Sequence, residues 1–171
     1  MNIIPIANPS SILTGIDFSG LKVTKLEMEK EGQAYEACSY DLGPLKVRAR
    51  RSKITPKKCG QFVTVWKRDK NGQTAPFEDS DRIDLLVITS CQDSFLGQFI
   101  FPKSVLVEKG IIASNNNKGK RGFRVYPPWS KTTNKTAQST QMWQKDYFIA
   151  IENDFGTNDN IVKSLFGHKE D

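Results

Sequence analysis

From Leu45 to Arg50 apolar and cationic residues alternate one for one, Leu45, Val47 and Ala49 against Lys46, Arg48 and Arg50. Period two marks a strand, because successive side chains leave a strand on opposite faces. Leu45, Val47 and Ala49 are therefore expected on a core and the three cations on the other face. The alternation also runs through residues 21–29, LKVTKLEME, while Tyr35–Leu42 turns into the cationic strand at Gly43-Pro44. Pro56 to Gly60 breaks the pattern before a fourth expected strand, Gln61–Arg68. The polar run Asp69–Asp81 contains the turn pair Asn71-Gly72, and Ile83–Thr89 and Phe95–Phe101 follow as a fifth and sixth strand.

The later part of the chain changes character. Pro102 to Gly110 fits a short helix, with Pro at its start and Gly just past its end. Residues 115–120 read as a surface loop, and Phe123–Tyr126 as a short strand stopped by Pro127-Pro128. Over residues 136–151, Met142, Trp143, Tyr147, Phe148 and Ile151 recur at helical spacings, which predicts an amphipathic helix. No repeat of 20–50 residues is present. Strands first and helices later predict an α+β fold with an antiparallel-rich sheet. At 171 residues the expectation is a single domain, 1–171, with a polar tail over about 152–171.

Charge is the second constraint. The chain carries 25 Lys and Arg against 19 Asp and Glu, a formal +6. Residues 44–68 hold nine cations and no acid, and residues 103–145 hold nine cations and only Glu108 as an acid. The excess is thus concentrated in two blocks, which raises the case for a polyanionic partner. The single histidine, His168, nearly excludes His-based catalysis and His ligand clusters. Cys38, Cys59 and Cys91 form no CxxC pair, so a Cys/His zinc site is not expected, nor any other cofactor. Sparse cysteines, a start without a basic n-region and the lack of a long apolar run point to a soluble, cytoplasmic protein with no membrane partner. Asn134-Lys135-Thr136 is a glycosylation sequon, which matters only in a secreted chain. Oligomeric state is left open.

Several separated segments carry a family likeness. YEAC at Tyr35–Cys38, KITPKKCGQFVTVWKR from Lys53 to Arg68, GQFIFPKSVLVEKGI from Gly97, KRGFRVYPPW from Lys120 and TQMWQKDYF from Thr140 occur in order. Together, over roughly residues 35–150, they resemble the MepB family. That family has no established biochemical activity. The resemblance implies a restriction-endonuclease-like α+β core and a nucleic-acid-binding role.

Candidate site residues follow from both readings. The binding candidates in the first block are Arg48, Arg50, Arg51, Lys53, Lys57, Lys58, Lys67 and Arg68. Those in the second are Lys103, Lys118, Lys120, Arg121, Arg124 and Lys131. Guanidinium forks and lysine point charges suit a sugar–phosphate backbone, with DNA ahead of RNA as the expected ligand. Trp66 and Trp129, each near cations, are candidates for stacking on unpaired bases. The plainer reading of these cations is a solvated sheet face, and of the tryptophans a core anchor. Nucleases of the implied fold need an Asp at one strand and an acid-x-Lys triplet on the next to hold Mg²⁺. Asp84 opens the fifth strand, but the triplet position reads Gln98-Phe99-Ile100, with Lys103 beyond Pro102. Glu36 is a distant spare carboxylate. The expectation is a non-catalytic nucleic-acid binder. The alternatives are an atypical metal-dependent nuclease using Asp84, Gln98 and Glu36, and a module that binds an acidic protein.

Overall fold

The structure, a computed structural model, describes residues 20–152 and Ser164. Three alternating segments build β1 (Val23–Met28), β2 (Cys38–Leu42) and β3 (Leu45–Arg51). A 3-10 turn at Gln33–Tyr35 joins the first two. Then come β4 (Lys53–Thr55), β5 (Lys58–Thr64), β6 (Trp66–Arg68), β7 (Thr74–Pro76), β8 (Leu85–Gln92) and β9 (Phe95–Pro102). Helix α1 (Lys103–Glu108), β10 (Gly122–Val125), helix α2 (Lys135–Lys145) and β11 (Phe148–Glu152) complete the order. The fold is α+β.

A six-stranded sheet runs β1-β2-β3-β8-β9-β11. All its neighbours are antiparallel except β3 and β8, which pair in parallel from Val47↔Leu85 to Arg51↔Thr89. A parallel pair cannot be closed by a hairpin and needs a long crossover. Here the crossover is itself made of strands, β4 to β7, not of a helix. It supplies a hairpin, β6-β7, and two strands of a second sheet, β10-β5-β4. This small sheet covers one face of the large one.

The sequence of β8 explains its central place. Its run LLVITS is buried residue after residue, as a strand covered on both faces requires. On the covered face, Leu86, Ile88, Phe99, Phe101 and Phe148 meet Val63, Phe123 and Val125 of the small sheet. Ring contacts Phe99–Phe148 at 5.0 Å and Phe101–Trp143 at 5.4 Å extend this layer to α2. On the other face lie Cys38, Tyr40, Val47, Ala49, Val87 and Ile100. Gly97 of β9, paired with Ala150 of β11, makes room for the Phe148 ring, since a Cβ there would come within 2.1 Å of Phe148 Cζ.

Three expectations need correction. Val47 and Ala49 are buried as the alternation predicts, but the opposite face of β3 is not solvated. Arg50 is only 1% exposed. Because the crossover covers this face, its guanidinium is held by Glu29, with Nη2–Oε2 at 2.7 Å and Nη1–Oε1 at 3.1 Å. The fourth strand, Gln61–Arg68, is split after Thr64, where the chain leaves the small sheet for the β6-β7 hairpin. The helix expected over residues 136–151 ends at Lys145, and β11 begins at Phe148. Phe148 and Ile149 are both buried, on opposite faces, as a sheet strand dictates. Met142 is 73% exposed, and α2 buries Ala137, Gln141 and Gln144 instead. Among the described residues no helix is long and apolar enough to cross a membrane. The expected polar tail falls outside the described residues, Ser164 and the end of β11 apart.

Removing one partner of a buried ion pair strands the other charge. Glu29→Ala should therefore cost about 3–5 kcal/mol in urea unfolding. Lys25→Ala, which breaks an ion pair to Asp41 from a side chain that is 74% exposed, should cost less than about 1 kcal/mol. Equal losses would show that the Arg50 pair is not a structural tie.

Candidate functional site

The two cationic blocks meet in the small sheet. Strand β10, from the second block, pairs with β5, from the first, through Gly122↔Thr64, Phe123↔Val63, Arg124↔Phe62 and Val125↔Gln61. Strand β4 adds Lys53↔Phe62 on the far side of β5. Directly opposed residues share a face. Val63, Phe123 and Val125 therefore turn to the core, while Lys53, Phe62 and Arg124 stand in one row on the outer face.

Two glycines shape that outer face. A Cβ on Gly122 would come within 2.6 Å of Phe62 Cζ, and one on Gly60 within 2.5 Å of Tyr126 Cδ1. The Phe62 and Tyr126 rings thus lie across the backbone of neighbouring strands, over positions with no side chain. Gly60 also has φ +74°, a conformation costly for other residues. Tyr35 meets Phe62 edge-on at 6.3 Å, and Lys53 Nζ lies 5.0 Å from the Tyr35 ring centroid. All three rings are half-buried.

Many of the sequence-predicted cations have structural work. Arg48 joins Arg50 on Glu29. Lys67 pairs with Glu78 and Asp81, Arg68 with Glu31, and Lys103 with Asp79. Burial works to lower the Lys67 pKa, but hydrogen bonds to Asp81 and Glu78 outweigh it and raise the value. Arg51 donates to Cys91 Sγ. Arg124 donates to Thr55 Oγ1 and to the carbonyls of Lys58, Cys59 and Gly60. It clamps the β4-β5 turn that carries Lys57 and Lys58.

A second set meets no carboxylate in an ion pair among the described residues. Lys53, Lys57, Lys58, Lys118, Lys120, Arg121 and Lys131 are all exposed. The Cys59 thiol donates to Lys131 O at 2.8 Å, which brings Lys131 to the Lys57–Lys58 end of the small sheet. Lys120 and Arg121 enter β10 at its other end. Beside β10 a cleft of about 270 Å³ opens toward α2, walled by Lys109, Lys120, Tyr126, Thr140, Trp143 and Gln144. Gln144 closes its floor, donating to Arg124 O at 2.9 Å and accepting from Tyr126 N at 2.8 Å.

Of the tryptophans, Trp66 lies under Arg68 at 5.2 Å on the β6 strand. Trp129 is not an outward-facing loop ring; it packs on Phe95 at 5.5 Å and Phe148 at 5.6 Å, against the core. The rings on the outer face are Phe62 and Tyr126, neither of them a sequence-predicted candidate, while Tyr35 meets Phe62 from the β1-β2 turn and packs against the core. Their signal is a glycine two residues before an aromatic on β5, Gly60-Gln61-Phe62, and Gly122 two residues before Arg124 with Tyr126 two residues after it.

The nuclease-type candidates are not brought together. Asp84 is exposed at the start of β8, where its Oδ2 accepts from Lys46 N at 2.7 Å. Gln98 lies opposite Thr89, five residues further along β8, or about 16 Å of strand. It is fully buried, and its Nε2 donates to Thr89 Oγ1 at 2.9 Å. Glu36 precedes β2 at the end of the sheet remote from Asp84. Burial raises its pKa, opposed by Arg51 and Lys53. Among the described residues no three His, Cys, Asp or Glu side chains converge as a metal site would require.

Burial pushes the Cys38 thiol up to about 11, with Arg50 opposing and Glu29 and Glu36 adding to the rise. Thiolate, not thiol, is the nucleophile. Iodoacetamide at pH 8 should therefore label the half-exposed Cys59 and leave Cys38 unmodified in the folded protein, read by peptide mass spectrometry. Early labelling of Cys38 would contradict this packing.

Comparison with known proteins adds four findings. A family model described as MepB-like matches residues 29–150. No curated protein matches. Among solved structures, the crystal structure of MepB is 39% identical with a TM-score of 0.75, covering 86% of this chain and 99% of that one. A bacterial homing endonuclease, I-Ssp6803I, is 13% identical with a TM-score of 0.47, over 83% of this chain and 91% of that one. That second likeness is too slight to bear functional weight.

Proposed function

The chain belongs to the MepB-like family, and from that premise we propose that it binds nucleic acid without catalysis, through the outer face of the β4-β5-β10 sheet. The pairing of β10 with β5 carries the reading. It sets Lys53 and Arg124 in one row, with Lys57, Lys58 and Lys131 at one end and Lys120 and Arg121 at the other. Apart from the half-buried Arg124, these side chains are exposed, and none of them is paired with a carboxylate among the described residues. A phosphate chain can follow such a row, because the cations are spaced along strands and not gathered at a point. Arg124 acts here by rigidifying the turn of Lys57 and Lys58. Arg50 is dropped as a ligand because it is buried, and Lys67, Arg68 and Lys103 are secondary because acids already hold them. The three thiols are free of disulfides, which suits the cytoplasm, where we place this activity.

Cations that replace counterions make affinity fall with salt, by a log–log slope of about −0.9 per phosphate on duplex DNA and about −0.7 on a single strand. Contact by four to six cations should give a slope of about −3 to −5 in a fluorescence anisotropy titration. Changing Lys53, Lys57 and Lys58 together to Ala should flatten the slope by about 2–3. Lys25→Ala, on the far edge of the large sheet, should leave it unchanged. Failure to bind DNA or RNA at low salt, or binding indifferent to salt, would overturn the reading.

A further inference from the structure

The outer face combines its cations with flat rings, and a duplex has no use for the rings. In a duplex each base face is already covered by its neighbour, whereas unpaired bases are free to stack on aromatic side chains. Phe62 of β5 lies over Gly122 of β10, and Tyr126, just past the end of β10, lies over Gly60 of β5. A ring lying across a glycine on the outer face turns its other side away from the sheet. Had either glycine been any other residue, its Cβ would have pushed the ring upright or aside.

The cleft beside β10 continues this surface, because Tyr126 and Arg124 belong to both. No carboxylate is among its lining residues, and Lys109 Nζ lies 5.6 Å over the Trp143 ring in its wall. At about 270 Å³ it falls just below the range of roughly 300–1,000 Å³ usual for drug-sized ligands. It has room for about one base or one sugar–phosphate, and none for a double helix.

We propose that the small sheet is a single-strand site: unpaired nucleotides stack on Phe62 and Tyr126, and one nucleotide of the strand enters the cleft beside Lys120. This rests on the nucleic-acid-binding reading above and narrows its ligand class. The cations then follow the backbone at the two ends of the sheet while the rings hold bases between them. Stacking is tolerant of sequence because every base has a π-face, so binding should show little sequence preference.

The test compares fluorescein-labelled oligo(dT) and oligo(rU) of about 20 nucleotides with an oligo(dT)·oligo(dA) duplex of the same length, by anisotropy at low salt. At least one single strand should bind about ten-fold tighter than the duplex, and the DNA and RNA arms tell which sugar is preferred. Tyr126→Leu, which keeps an apolar cover over Gly60 but no planar ring, should weaken single-strand binding about ten-fold without changing the salt slope. Tyr126→Phe should restore it. Lys120→Ala should instead flatten the slope by about 0.7. Duplex binding as tight as single-strand binding, with a steep salt slope, would overturn the single-strand site and leave the backbone-binding reading standing. No binding to any of the three probes would overturn both. A Tyr126→Leu protein that melts like the parent and binds oligo(dT) and oligo(rU) unchanged would also overturn it. If that variant unfolds, the ratio of single-strand to duplex affinity in the unaltered protein decides.

Discussion

The hydrogen-bonded pairing of Gly122–Val125 with Gln61–Thr64 joins stretches of chain that are distant in sequence, and most of the molecule's organisation follows from it. Its inner side chains, Val63, Phe123 and Val125, complete the layer over Phe99, Phe101 and Ile88. Without β10, the crossover between β3 and β8 would be a two-stranded ribbon, too small to hide that aromatic layer. The free edge of β10 is closed by a side chain in place of a further strand. Gln144, fully buried on α2, both donates to and accepts from the strand backbone, as a neighbouring peptide would. An edge satisfied in this way offers little to an intruding strand. The amide needs a rigid mount, and Gln141 supplies it one turn earlier by donating to the carbonyls of Pro127 and Ser130.

The same geometry separates two kinds of cation that composition cannot tell apart. A guanidinium taken from water costs several kcal/mol unless it is paired and its hydrogens are satisfied. Arg50 meets that condition through Glu29 and Ala49 O, and Arg48 shares the carboxylate. Through these bonds Glu29, just past β1, is tied to β3 across β2. The first cationic block is therefore partly a set of structural ties, and its exposed cations outside those ties, Lys53, Lys57 and Lys58, lie in β4 and the turn into β5. A run of like charge locates a binding surface only after the cations committed to acids are removed from it.

How far the sequence could be read depended on whether a segment's surroundings were local. Alternation revealed β1, β2 and β3, and the apolar runs of β8 and β9 were evident because turns bound them. Alternation could not show that the cationic side of β3 would be covered, since the covering strands lie in the crossover. At the end of α2, Met142, Trp143, Tyr147 and Phe148 satisfy helical spacing equally well if the helix stops and a strand begins. Only the pairing of Phe148 with Phe99 decides between the two. Trp129 was a stacking candidate because cations lie near it in the sequence, yet it folds back onto Phe95 and Phe148. Phe62 was legible only as part of the fourth strand, because nothing local says which face of a strand a phenylalanine takes. Register, invisible before pairing is known, placed Gln98 opposite Thr89 and far from Asp84.

That register also ties the small sheet to the large one. Where β5 approaches the large sheet, the interior is polar but neutral. Ser52 donates to Gln61 Oε1 at 2.7 Å, shares a hydrogen bond of 2.6 Å with Ser90, and its backbone N–H reaches Thr89 O at 3.0 Å. Gln61 Nε2 completes the set by donating to Cys91 O. Hydrogen bonds of this kind are worth little when exchanged for water, but breaking one in the interior costs the desolvation of the group left behind. The network therefore resists any slip of β5 against β8. Phe62 follows Gln61 directly and points to the opposite side, so whatever holds Gln61 in place holds the outer ring as well. Neutral groups suit this task better than carboxylates, because charged groups at these buried positions would need counter-ions.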